Sequence, residues 1–289
     1  MLSFGEILWD VYPDAKYLGG APLNLAAHAS LQGAEAFMLS AVGRDSYGND
    51  LINEVNSLGV STKYISKILQ KQTGKCLVTL DENALPSYNL LKDVSYDYIK
   101  LPDKFEEEFD VLAFGTLALR SEHNINVLKQ LILQNNFKEI YTDLNIRPPF
   151  YSKASIEFCL KNATIVKISD EELPVVTDEL FNTTIDNKEA LQKLASEYKQ
   201  VKIIILTLGK DGSLALDCSK NQFYYADAVP CNVVSTVGAG DSFGSTFLTS
   251  FFNGSDIQTS LELSSKISSY VVSKKDAVPS DMLDFLKNI

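Results

Sequence analysis

Histidine, cysteine and positive charge are all scarce in this chain. Only His28 and His123 occur among 289 residues. A histidine-based zinc site would need both plus further ligands, and neither stands in H-E-x-x-H spacing. His28 falls in an Ala-rich segment and reads as a packing or partly exposed residue. Cys76, Cys159, Cys218 and Cys231 are widely spaced without a C-x-x-C pair, so they read as reduced, mostly structural thiols. Lys and Arg total 26 against 37 Asp and Glu, a net charge of -11. That argues against nucleic acid as a partner, because phosphate backbones are bound by surplus Lys and Arg. A small polyphosphate stays compatible, since backbone dipoles and a metal ion can hold it locally.

Long apolar runs are missing too. No segment approaches the ~18 consecutive apolar residues of a membrane span, and M-L-S-F-G-E-I-L-W-D carries no basic stretch ahead of a long apolar one. The expectation is a soluble, cytoplasmic protein without a membrane partner. Two nucleotide fingerprints are also lacking. There is no G-x-x-x-x-G-K-[ST], which argues against a P-loop NTPase. There is no G-x-G-x-x-G after the first apolar run, which leaves a dehydrogenase a weak alternative.

What is there is a rhythm of short apolar runs and helical patterns. Leu2 to Leu8 reads as a buried strand ending at Trp9-Asp10, and Asp10 would then point into the crevice at the strand's carboxyl end. Gly19-Gly20-Ala21-Pro22 turns the chain into a helix from Asn24 to Leu31, closed by Gly33. Leu39 to Val42 reads as a strand, and Leu51, Ile52, Val55 and Leu58 mark the next helix. Further strands are expected at Val111 to Phe114, Ile140 to Thr142, Thr164 to Ile168 and Lys202 to Leu208. Ser213 to Cys218 and Gln222 to Ala226 should form a hairpin. Helices are expected around Ile125 to Ile132, Ala190 to Ala195, Ile257 to Val272 and Ser280 to Lys287. Repeated strand–helix units imply an α/β fold with a mostly parallel sheet covered on both faces. Lys75 to Leu80, a turn at Asp81 to Pro86 and a returning strand at Ser87 to Leu90 interrupt that rhythm. With residues near 11–18 they read as a small β-sheet lid, formed from about 11–18 and 73–98, on a single domain spanning 1–289.

Residues 235–243, S-T-V-G-A-G-D-S-F, are the strongest candidate for chemistry. Gly238 and Gly240 bracket Ala239 just before Phe243, Phe247, Leu248 and Phe251, whose spacing is helical. A glycine turn at a helix start offers unpaired N–H groups and a positive dipole end to an anion. Asp241, in the first turn, is placed to take a proton from a hydroxyl aimed at that anion. Four more polar stations follow expected strands: Asp10, Asp143 to Arg147, Ser169 to Glu172, and the turn at Thr207 to Gly212. Together they provide phosphate cradles, carboxylates and a base, the parts that phosphoryl transfer needs.

With these residues in view, the chain resembles a ribokinase-like carbohydrate kinase of the PfkB family over essentially its whole length. The carrying motifs are G-G-A-P-L-N at 19–24, V-G-R-D-S-Y-G at 42–48, T-L-G-K-D-G at 207–212 and T-V-G-A-G-D-S-F at 236–243. G-G-A-P-x-N, F-G-T-L-A-L-R at 114–120 and D-L-N-I-R-P at 143–148 look most like the fructokinase branch. The resemblance implies a three-layer α/β/α domain with a β lid, and ATP-dependent phosphorylation of a sugar's primary hydroxyl, D-fructose to fructose 6-phosphate in the first instance. 2-Keto-3-deoxygluconate, ribose or a nucleoside is the alternative acceptor, and a catalytically silent sugar-binding relative a further one. It makes Asp241 the general base, with Gly238, Ala239 and Gly240 stabilising charge on the transferring phosphate. Asp10, Gly19, Gly20 and Asn24, with Tyr88 and Arg120, would bind the sugar. Asn145, Arg147, Lys167, Ser169, Thr207, Gly209 and Gly212, with Gly238 and Gly240, would line the ATP site. Glu172 would organise Mg²⁺ through water. A homodimer through the lid is also implied. Three departures stand out: Ser235 where the family has an Asp tied to a monovalent cation, which puts K⁺ activation in doubt; Ser169 where N-x-x-E would have Asn; and Lys275-Asp276-Ala277 in place of Gly-Ala.

Overall fold

Alternation of buried faces organises the structure, a computed structural model that describes residues 1–80, 86–183 and 185–289. In chain order it runs β1 (Leu2–Phe4), β2 (Leu8–Val11), β3 (Lys16–Gly19), α1 (Ala21–Leu31), β4 (Phe37–Gly43), α2 (Ser46–Ser57), β5 (Ser61–Ile68), β6 (Gly74–Leu80) and β7 (Pro86–Leu90). There follow β8 (Val111–Phe114), α3 (Glu122–Gln134), β9 (Glu139–Asp143), α4 (Lys153–Asn162), β10 (Ile165–Ser169), α5 (Leu173–Phe181), α6 (Asn187–Glu197) and β11 (Ile203–Thr207). The chain ends with β12 (Ser213–Asp217), β13 (Gln222–Ala226), α7 (Ala239–Phe252), α8 (Ile257–Val272) and α9 (Met282–Leu286). Residues 81–85 of the expected turn lie outside the described residues.

The larger sheet has the order β13-β12-β11-β10-β9-β8-β1-β4-β5. Its strands are parallel except for the β12–β13 hairpin, which pairs antiparallel to β11. Side chains along a strand point to opposite faces in turn, and the sequence obeys that period. Ile204, Leu206, Val166, Ile168, Leu112 and Phe114 pack toward Leu128, Ile156, Leu160, Val176 and Leu191 of α3, α4, α5 and α6. Ile203, Ile205, Ile165 and Ala113 pack on the other face against Leu25 of α1, Phe243 and Phe247 of α7 and Leu261 of α8. The result is the expected three-layer α/β/α arrangement. Phe247 is wholly buried, and burying such a side chain contributes roughly 1.5–3 kcal/mol.

The smaller sheet has the order β3-β2-β6-β7, so the strands expected near 11–18 and 73–90 do share a separate sheet, but that sheet begins earlier than expected. Leu2 to Leu8 is not one strand. The chain pairs in the main sheet over Leu2–Phe4, leaves it through Gly5-Glu6-Ile7, and enters the second sheet at Leu8. Asp10 therefore lies within a lid strand rather than beyond a core one. Its neighbours across the sheet are Tyr17 and Cys76. β5 is an edge strand that periodicity does not flag. Tyr64 and Ile68 are its buried residues, set between half-exposed and exposed ones. Among the described residues, no helix is long and apolar enough to cross a membrane.

Candidate active site

Helix α7 begins at a turn that only glycine accommodates. Gly238 caps the helix with φ 79° and ψ -4°, in the left-handed region where a Cβ is costly. A Cβ there would also stand 2.7 Å from the Cα and carbonyl oxygen of Ala277. Ala239 N–H donates to Thr236 O at 3.2 Å, a bond within the turn. Asp241 follows in the first helical turn, and its Oδ2 accepts a 2.8 Å hydrogen bond from Asn24 Nδ2.

Asn24 is itself held in the core of the site. It is buried on α1, whose start is fixed by Gly20 at φ 118° and by Pro22 in the first turn. A Cβ on Gly20 would lie 2.5 Å from Glu6 O, so α1 begins in close contact with the chain leaving β1. Burial pushes the Asp241 carboxyl up to about 6 against the opposing Asn24 bond; Asp143 raises it further, while Lys167 and Arg147 lower it. Asp241 is therefore ionised at neutral pH yet a stronger base than an exposed aspartate, which suits proton abstraction.

A second cluster meets this turn from the ends of β9 and β10. Lys167 and Asp143 form a buried pair, Nζ to Oδ2 at 2.7 Å. The Lys167 ammonium lies against α7, 3.1 Å from where a Cβ on Gly240 would sit. Burial acts to lower Lys167, and the carboxylates of Asp143, Glu172 and Asp241 outweigh it and hold the ammonium charged. Glu172 Oε1 accepts from Ile146 N at 2.5 Å and Oε2 from Ser169 N at 2.9 Å. Burial, and then the charge of Asp143, raise its carboxyl. These two bonds hold the 145–147 segment to the end of β10. Asn145 takes a left-handed φ of 41° there, and Arg147 is exposed. Thr207 ends β11 beside Ser169. Its turn closes through Leu208 N to Gly212 O at 2.8 Å, with Gly209 at positive φ.

The expected sugar residues are less closely gathered. Gly19 ends β3 opposite Leu8. The carboxyl of Asp10 is raised by burial to about 6, opposed by Cys76 and Arg147. Tyr88 on β7 is largely exposed. Arg120 gives Nε and Nη2 to the Asp97 carboxylate at 2.8 and 2.9 Å, and Nη2 also to Leu91 O at 2.7 Å. One cavity brings Asp143, Asn145 and Asp241 together with Glu6, Ala21 and Thr116. A separate cavity of about 520 Å³ holds Arg120 with Lys92, Tyr98, Phe150 and Ser152.

Comparison with known proteins shows the family. The profile of the pfkB family carbohydrate kinases matches residues 13–282. The chain belongs to that family. A 5-dehydro-2-deoxygluconokinase of Listeria monocytogenes is 27% identical over 283 residues, covering 92% of this chain and 84% of that protein. The structure of a sugar kinase from Pyrococcus horikoshii in complex with ATP superposes with a TM-score of 0.79 at 25% identity, covering 96% of this chain and 93% of the other. A Vibrio cholerae fructokinase with bound fructose, ADP and calcium shares the fold, with a TM-score of 0.82, 20% identity, and 96% and 94% coverage.

Sequence reasoning missed one residue of this pfkB-family kinase, and for a second it gave the packing but not the partner. Glu6 is buried in the cavity beside Asp241, and its Oε2 has no partner among the described residues. Burial pushes its carboxyl up to about 7, and the Asp241 charge adds to this. The one signal was a lone carboxylate within the apolar run from Leu2 to Leu8. The second is His28, expected to pack or be partly exposed. It is wholly buried and bonded to Ala277 O at 2.8 Å. Ser235, the flagged departure, uses its Oγ to accept from Val237 N at 3.2 Å.

Proposed function

We propose that this sugar kinase transfers the γ-phosphoryl group of ATP to a sugar's primary hydroxyl, with D-fructose phosphorylated at O6. The observation that carries the reading is the Asn24–Asp241 bond, which fixes a carboxylate of raised pKa in the first turn of α7, beside the Gly238 cap. In this reading Asp241 Oδ accepts the proton of the acceptor hydroxyl. The freed oxygen bonds to the γ-phosphorus, and the bond to the bridging oxygen of ADP breaks. The N–H groups of Gly238 and Gly240 and the Lys167 ammonium face the charge that develops, and such preorganised donors cost no reorganisation during transfer; the Ala239 N–H expected to join them is instead spent on Thr236 O. Asp10, Gly19, Gly20 and Asn24 hold the acceptor, and the 145–147, 169–172 and 207–212 segments border the nucleotide.

The residues present fit a hydrated Mg²⁺ rather than one caged by protein. Both Glu172 oxygens already accept backbone N–H groups, and no cluster of three or more His, Cys, Asp or Glu among the described residues is set to ligate a metal. An ion held through water beside Glu172 would neutralise charge on the transferring phosphates, as Mg²⁺ bound mainly by water and phosphate does.

A second acceptor is favoured by one finding, the similarity to a 5-dehydro-2-deoxygluconokinase. An ATP-coupled assay over fructose, ribose, 2-keto-3-deoxygluconate, 5-dehydro-2-deoxygluconate and nucleosides separates the readings. Fructose should give the highest kcat/KM. A sugar acid ahead of it replaces fructose as the acceptor, and no turnover with any acceptor supports a silent relative.

A further inference from the structure

Helix α1 carries a polar stripe through an otherwise apolar surface. Asn24, His28 and the capping Gln32 follow at intervals of four, so they share one face. Each is tied to α7 or the loop beside it. Asn24 Nδ2 donates to Asp241 Oδ2 at 2.8 Å, and Gln32 Oε1 accepts from Thr249 Oγ1 at 3.0 Å. Between them, His28 Nε2 meets Ala277 O at 2.8 Å.

The middle bond is the one that packing does not explain. A carbonyl oxygen only accepts, so His28 carries its proton on Nε2, and burial keeps the ring neutral by pushing it down to about 4. Its Nδ1 is then a buried acceptor without a partner among the described residues. Burying an unsatisfied polar atom costs free energy that an apolar side chain of similar bulk would avoid. What the imidazole gains over such a side chain is its hold on Ala277. That residue walls the Gly238 turn, its Cα and carbonyl oxygen 2.7 Å from a Cβ built on Gly238. The same loop reaches the lid, where Lys275 Nζ donates to Tyr17 Oη at 2.8 Å.

We infer that His28 is a positioning residue for the phosphate-binding turn, acting through Ala277 to fix Gly238–Gly240 against the Asp241 that the same helix face holds through Asn24. The base and the anion cradle are thereby referenced to one rigid helix. The geometric statement stands apart from the kinase reading, and only its effect on turnover rests on that reading.

Hydrogen exchange of the intact protein without substrate tests the geometry directly. His28→Leu is expected to speed exchange of amides 236–241 about tenfold while β8, β9 and β10 keep wild-type rates, a local opening rather than a global one. His28→Gln, which retains an N–H donor of similar reach, is expected to restore protection to within about threefold of wild type. On the acceptor that the wild type phosphorylates, kcat should fall about tenfold in His28→Leu with acceptor KM within about twofold, and recover in His28→Gln. Unchanged exchange at 236–241 in His28→Leu overturns the inference. So does equal deprotection in both variants, or deprotection spread evenly over the sheet. If His28→Leu does not fold, His28→Gln against the shorter His28→Asn carries the same comparison. A wild type without turnover counts against the kinase reading and leaves the exchange result to decide this one.

Discussion

The proposed phosphate side and the proposed acceptor side are built differently. On the phosphate side, groups leave the ends of adjacent parallel strands and are fixed by backbone bonds: Glu172 to Ile146 and Ser169, Leu208 to Gly212. The cation there is buried and paired, Lys167 with Asp143. On the acceptor side, Asp10 and Tyr88 stand on a separate sheet, and Arg120 is committed to Asp97 in another cavity. In the proposed reading the transfer step is held by the main sheet, whereas Asp10 and Tyr88 of the acceptor side stand on the second sheet. A lid of that kind can complete its contacts only when the acceptor is present.

Breaking the phosphate side should have the largest effect. Asp241→Asn keeps a polar side chain of the same size for Asn24 to meet but cannot accept the proton, and a general base is worth roughly 10²–10⁴-fold. In steady-state kinetics kcat should drop about 10³-fold with both KM values and the melting temperature nearly unchanged. A variant within tenfold of wild type would remove Asp241 from the chemistry. The matching change on the acceptor side is Asp10→Asn. It should raise acceptor KM about 10- to 100-fold while the KM for ATP stays within about twofold. If both KM values rose together, the division between the two sides would not hold.

The same division governs what could be read before any coordinates. The local geometry of the proposed phosphate side was legible because its residues lie in contiguous motifs that follow strong apolar runs: T-V-G-A-G-D-S-F before α7, T-L-G-K-D-G after β11. A strand end and a helix start fix local geometry without help from distant residues. Glu6, His28 and the lid origin of Asp10 were not legible, for a physical reason. Each depends on contacts across 35 or more positions of chain, such as His28 with Ala277, 249 residues apart, or on a change of sheet at Gly5–Ile7 that hydropathy does not mark. Leu2 to Leu8 reads as one apolar run because both of its strands are buried. The Ser235 substitution showed only by comparison with a family pattern.

A smaller effect comes from pH. Asp241 must be ionised to act, and burial sets its pKa at about 6. Because the protonated form is inactive, kcat/KM should be level near neutrality and fall about tenfold per pH unit below that value. Lys167 stays charged across this range, so the phosphate cradle does not add a second loss. A profile level down to pH 5, or an acid limb that survives in Asp241→Asn, would show that ionisation of Asp241 does not govern the rate.

The smallest expected effect tests the front edge of the turn. A monovalent cation is weakly hydrated and is usually held by a carboxylate together with carbonyl oxygens. Here position 235 offers a hydroxyl that accepts from Val237 N–H, and Ala277 O accepts from His28. Titrating K⁺ at fixed Mg²⁺ and constant ionic strength, so that screening does not change, should therefore alter kcat by less than about twofold. Ser235→Asp introduces a carboxylate without altering Asp241, and K⁺ activation should appear in that variant. Strong activation of the wild type would show that carbonyl oxygens alone suffice to hold the ion, and the phosphate side would then depend on a ligand as the acceptor side does.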